Sequence, residues 1–112
     1  MASLNGTVTY RERMMLRPDA TITVRLQDVS RQDVPALLIA EQQIPAQGKS
    51  VPIPFSLEYD PARIDERYSY AVRAEIRGGD GELLWTTDTH HPVLTRGAPT
   101  DQVEILVVSA AR

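Results

Sequence analysis

Apolar and polar residues take turns along much of this chain. Ile22, Val24 and Leu26 alternate with Thr21, Thr23, Arg25 and Gln27. A period of two predicts a strand with one buried face. Tyr68, Tyr70, Val72, Ala74 and Ile76 alternate with Ser69, Ala71, Arg73, Glu75 and Arg77, a longer strand of the same kind. Ile53, Phe55, Leu57 and Tyr59 alternate with Pro54, Ser56 and Glu58. Pro52 and Pro54 lack backbone donors, so this third strand belongs at a sheet edge or is broken near them.

Less regular segments complete the set. Thr7–Tyr10 reads as a first strand that bends and continues through Met14–Leu16. Ala36–Ile44 begins apolar and ends polar; its residues would suit a short helix by propensity, but strand-like neighbours on both sides favour a strand. Glu82–Thr87 and Val103–Val108 add two more.

The punctuation agrees. Gly78-Gly79-Asp80-Gly81 lies between two strands and suits a hairpin loop, because glycine reaches positive φ at little cost. Arg17-Pro18-Asp19-Ala20 reads as a turn. Asp60 followed by Pro61 reads as a cap with proline at the first helical position, so one helical turn is expected over Pro61–Asp65. The fold class is therefore all-β: a single-domain β-sandwich over residues 1–112, of about seven to eight short, mainly antiparallel strands.

Composition narrows the function. A chain of 112 residues buries roughly 60–70% of its unfolded surface, enough for one core without staples. There are no cysteines, so disulfides and thiolate metal sites are excluded. The net charge of −3 is spread along the chain, with no basic block for nucleic acid. The longest apolar runs, Ala36–Ala40 and Ile105–Val108, fall far short of the ~20 residues of a membrane span. The opening residues lack the basic and apolar regions of a secretion signal.

Candidate chemistry is sparse. His90 and His91 are adjacent and would point to opposite faces of a strand, so one metal cannot readily take both. Asp88 could join one of them, but no third ligand is near in sequence. No Gly-x-Ser-x-Gly elbow exists, and Ser30, Ser50 and Ser69 have no linked base. Asp28 and Asp33 flank a turn, and Asp65 adjoins Glu66, where turn and cap roles account for them. Asp80-Gly81-Glu82 is too sparse for calcium. The expectation is no catalysis, no metal and no cofactor.

Two segments do not fit a strand with one wet face. In Val103–Val108, Leu106 and Val108 share the outward side with Glu104. The run Leu37-Leu38-Ile39 is likewise apolar on both sides. Apolar residues on both faces mean a covered strand or a contact surface. The candidate partner-binding residues are therefore Leu37, Ile39, Leu106 and Val108.

Several short motifs occur in order: Asp28-Val29-Ser30-Arg31, Ile39-Ala40-Glu41-Gln42, Val51-Pro52-Ile53-Pro54-Phe55, Tyr59-Asp60-Pro61, and Thr86-Thr87-Asp88-Thr89 with Pro92-Val93-Leu94-Thr95. Together they resemble the YbaY-like lipoprotein family, grouped with the YscW-type lipoprotein chaperones (pilotins) of type III secretion. The resemblance runs from about Gly6 to Val108. It implies a β-sandwich held at the periplasmic face of the bacterial outer membrane by an N-terminal lipid. For the pilotin branch it implies binding of a secretin subunit. The lipid-carrying cysteine of the family is absent from these residues. Membrane association would need that anchor, and a native start at Met1 would instead make the protein cytoplasmic.

The first expectation is thus a non-catalytic envelope accessory domain that binds or chaperones a protein partner, by strand addition at an open sheet edge or in an apolar groove. The alternative is a small-molecule or glycan-binding domain with a pocket lined by Trp85 and tyrosines.

Overall fold

The computed structural model describes residues 1–31 and 34–110. Its strands are β1 (Ala2–Thr9), β2 (Thr21–Asp28), β3 (Leu37–Pro45), β4 (Ile53–Tyr59), β5 (Tyr70–Arg77), β6 (Leu83–Thr86), β7 (Pro92–Val93), β8 (Val103–Leu106) and β9 (Val108–Ser109). One 3-10 turn, Pro61–Arg63, lies between β4 and β5. Nine strands among the described residues slightly exceed the sequence expectation, because β7 and β9 are two residues each.

The strands form two sheets. One has the order β4-β1-β8, with β1 antiparallel to β4 and parallel to β8. The other runs β3-β2-β5-β6-β9, with β7 also on β5, and all its pairs are antiparallel. Alternation explains the core. Ile22, Val24 and Leu26 of β2 and Val72 and Ile76 of β5 are fully buried, facing Leu4 and Val8 of β1 and Ile53 of β4. Each such side chain contributes about 1.5–3 kcal/mol relative to exposure. The opposite face of β2 and β5 is polar. There Arg25 bonds Glu41 of β3 at 2.8 Å and also Glu75 of β5, which Arg77 holds at 3.0 Å. Burial pushes the Glu75 carboxyl up, but the two arginines outweigh it and hold it below its usual range.

Asp60 caps the 3-10 turn as the sequence suggests, accepting from the Ala62 N–H at 2.9 Å. β4 lies at a sheet edge, where Pro54 needs no partner. The Ala36–Ile44 segment is a strand, with its bounds at Leu37 and Pro45.

Three expectations change. Met14–Leu16 is not a strand. Leu16 anchors in the core, while Met14 and Met15 face solvent and the Tyr10 hydroxyl donates to the Met14 carbonyl. Tyr68 is not on the buried face of β5. It belongs to a turn closed by its N–H on the Asp65 carbonyl at 2.9 Å, and it is exposed. Val103–Val108 is two strands, because the chain leaves one sheet at Leu106 and joins the other at Val108. Asp33 lies outside the described residues.

Candidate functional site

One end of the sandwich carries a cleft of about 700 Å³ lined by Asp28, Ser30, Arg31, Val34, Pro35, Leu37, Arg67 and Tyr68. Its residues come from the end of β2, the described residues between β2 and β3, the start of β3 and the turn before β5. Val34, Leu37, neighbouring Leu38 and Tyr68 are 49%, 60%, 45% and 42% exposed. Val34, Leu37 and Tyr68 meet at the cleft, and apolar side chains grouped in solvent are the type of patch that marks a contact site.

The backbone beneath the patch is held by polar bonds. The Ser30 hydroxyl donates to Asp28 Oδ1 at 2.6 Å and accepts from the Ser69 N–H at 2.8 Å. The Val29 N–H reaches the Ser69 carbonyl at 2.9 Å. The Tyr68 carbonyl accepts from the buried Thr95 hydroxyl at 2.6 Å, and the Arg67 carbonyl accepts from Arg96 at 2.9 Å. Tyr68 is therefore exposed but fixed, with the Arg67 guanidinium 5.7 Å from its ring centroid. Arg67 also pairs with Asp65 at 2.7 Å. These side-chain bonds, with the Arg67 N–H, lower the Asp65 carboxyl to about 2. Arg31 adds a guanidinium to the lining of the cleft.

The residues singled out from sequence do not form one surface. Leu37 lines the cleft. Ile39, two residues on, is 8% exposed and packs in the core. A register shift opposite Leu26/Gln27 explains this correction. The extra residue breaks the alternation, so Leu37 points out and Ile39 points in. Leu106 and Val108 are half-buried at the far edge strands, away from β3. Sequence reading missed Val34 and Tyr68. The turn residues Asp65 and Glu66 were the available signal that the strand starts at Tyr70 and leaves Tyr68 outside it.

His91 Nε2 lies 3.3 Å from the Thr89 hydroxyl, beside a shallow cleft of about 360 Å³ that also includes His90, Asp88 and Arg73. Among the described residues no three His, Cys, Asp or Glu side chains could hold one metal. Trp85 is 8% exposed and stacks on Tyr10, ring centroids 3.9 Å apart and planes within 6°. Its ring is thereby committed to the core. Tyr70 is buried too, its hydroxyl accepting from the Asp65 N–H at 2.9 Å.

Known proteins are similar to this chain over most of its length. Residues 1–105 match the family model of the type III secretion system lipoprotein chaperone YscW. The chain is 32% identical over 106 residues to the uncharacterized lipoprotein YbaY of Escherichia coli strain K12. That match covers 95% of this chain but 55% of the relative, so the chain spans about half the relative's length. Among solved structures it is similar to an alternative pilotin from the type II secretion system of Vibrio cholerae. The TM-score is 0.88 with 40% sequence identity, covering 97% of this chain and 98% of that one.

Proposed function

The chain belongs to the YscW family of lipoprotein chaperones, and from that membership we propose that it is a pilotin-like accessory domain of the cell envelope. It binds a protein partner and performs no catalysis. The partner class is a secretin-type subunit of an outer-membrane secretion channel. The site of action is the periplasmic face of the outer membrane, reached through an N-terminal lipid such as the lipoprotein relatives are named for.

The observation that carries this reading is the pilotin match, at 40% identity across almost all of both chains. The cleft supports it physically. Val34, Leu37 and Tyr68 offer an apolar wall, and Arg31 stands at its rim. Such a surface suits a partner segment with apolar side chains on one side and an acidic group beside them.

The test is calorimetry with the purified domain and the periplasmic part of the secretin from the same organism. Binding is expected, and Leu37→Asp should weaken it at least tenfold without lowering the melting temperature. In cells, loss of the gene should reduce the assembled secretin multimers in the outer membrane. Absence of binding together with unchanged multimers would sink the proposal.

A further inference from the structure

Leu94 is a bulky residue in the left-handed region of the backbone, at φ 73°. Residues other than glycine rarely adopt that conformation, and a bulky one holds it only where the surroundings over-determine it. Such outliers cluster at binding and catalytic sites. The connection from β7 to β8 contains three of the four left-handed residues other than glycine among the described residues: Leu94, Arg96 at φ 60° and Gln102 at φ 54°. Its first part is well tied. Val93 is fully buried, the Leu94 N–H donates to the Pro99 carbonyl at 2.8 Å, and the Ala98 N–H donates to the Thr95 carbonyl at 3.1 Å.

The ladder geometry shows what the turn at Leu94 accomplishes. β7 pairs with β5 in the register Tyr70 to Val93, and the Val72 N–H reaches the His91 carbonyl at 3.1 Å. In an antiparallel ladder hydrogen-bonded pairs recur at every second residue. The same register carried two residues further sets Thr95 opposite Tyr68 in such a pair, where a regular ladder would place the Thr95 N–H on the Tyr68 carbonyl. The turn diverts that N–H to the Val93 carbonyl at 2.8 Å. A three-residue turn with positive φ at its centre is rare and strained. The Thr95 hydroxyl takes the place of the diverted N–H and donates to the Tyr68 carbonyl at 2.6 Å. One residue on, the Arg96 guanidinium donates to the Arg67 carbonyl at 2.9 Å. Thr95 is buried and Arg96 is exposed. Arg67 and Tyr68 line the 700 Å³ cleft, and Thr95 and Arg96 stand behind it.

We infer that Thr95 is a positioning residue of the partner-binding cleft, an inference that rests on the reading of that cleft as the partner site. Its hydroxyl, presented by the strained turn at Leu94, holds the Tyr68 main chain so that the exposed ring stands in one place. The benefit is entropic. A ring on a loose turn has to be ordered when the partner arrives, and that ordering lowers affinity. Here the turn is held in advance from two sides, by the Ser30 hydroxyl on the Ser69 N–H and by Thr95 and Arg96 on the Tyr68 and Arg67 carbonyls. The partner meets a surface that is already set, and Thr95 contributes to binding without touching it.

The test is calorimetry with the periplasmic part of the secretin from the same organism. Thr95→Val removes the hydroxyl at nearly constant volume and should weaken binding about threefold to tenfold, the value of one hydrogen bond. Thr95→Ser restores the donor and should recover most of the affinity. In a Tyr68→Ala background Thr95→Val should weaken binding no further, because residues that act as a unit are not additive; general damage to the fold would still add. Arg96→Ala, at an exposed side chain, carries the same test through the Arg67 carbonyl if Thr95→Val does not fold, and should weaken binding about twofold or more. Without any partner, amide exchange at Tyr68 and Ser69 should quicken in Thr95→Val and return in Thr95→Ser. Equal binding by the unaltered domain, Thr95→Val and Arg96→Ala would overturn the positioning role and leave the pilotin-like reading standing. So would a loss that Thr95→Ser does not reverse, or one that persists in full in the Tyr68→Ala background. If the unaltered domain does not bind, both fall.

Discussion

Gly6 sits in β1 between two other strands, opposite Phe55 of β4 and Val103 of β8. A Cβ added there would lie 1.9 Å from the Val103 carbonyl oxygen and 2.9 Å from two atoms of the Phe55 ring. The oxygen belongs to the backbone, so relief requires β1 and β8 to part. The ring is buried at 4% exposure and has little room to yield. Overpacking a core costs typically 1–3 kcal/mol, and a clash with fixed backbone puts Gly6→Ala at about 3 kcal/mol. For a domain of this size each kcal/mol lowers the melting temperature by about 4 °C or more, so a drop of about 12 °C or more is expected. Trp85, the sole tryptophan, reports the transition by fluorescence. Gly48→Ala is the control, because Gly48 has φ +81° and nothing within 4 Å of a new Cβ. It carries only the left-handed backbone penalty of about 1–2 kcal/mol. A Gly6→Ala protein melting within about 3 °C of the unaltered domain, or above Gly48→Ala, would refute the close-approach argument.

Further outcomes follow from particular contacts. Tyr10→Ala removes a buried ring stacked on Trp85 and should cost about 3–5 kcal/mol, with a red shift of tryptophan emission in the folded protein. Thr87 is 5% exposed and its hydroxyl has no partner among the described residues. An unsatisfied buried hydroxyl costs about 1–3 kcal/mol, so Thr87→Val should raise the melting temperature by several degrees, and a lowered one would show that the hydroxyl is satisfied. Asp65 is lowered to about 2 by its bonds to Arg67, against about 3.9 for a free aspartate. Its contribution to the turn is therefore complete above about pH 4 and is lost as the pH falls through about 2. Carboxyl NMR should place its titration near 2 and show it returning toward 4 in Arg67→Ala; a midpoint already near 4 in the unaltered protein would contradict the pairing.

Alternation made β2, β4 and β5 readable because each keeps one face in the core throughout. Asp60-Pro61 was readable because a cap is a local arrangement. The misreadings occur where tertiary structure overrides local pattern. Met14 and Met15 are apolar but lie on a loop pinned by the Tyr10 hydroxyl and by Leu16, and nothing local distinguishes that from a strand. The parallel pairing of β1 with β8 joins Gly6 to Val103, a long-range register that no short window contains.

The candidate site divides the same way. Leu37 was legible as an apolar residue with no core to face, yet Ile39 was not separable from it, because the register shift between them exists only in the pairing with β2. The two-faced character of Val103–Val108 has a physical origin that changes its meaning. The segment serves two sheets in turn: its odd-numbered residues bond β1 and fill the core, and past Leu106 its even-numbered residues bond β6. A strand passed from one sheet to the other needs apolar side chains on both sides at the crossing, which accounts for half-buried Leu106 and Val108 without any partner.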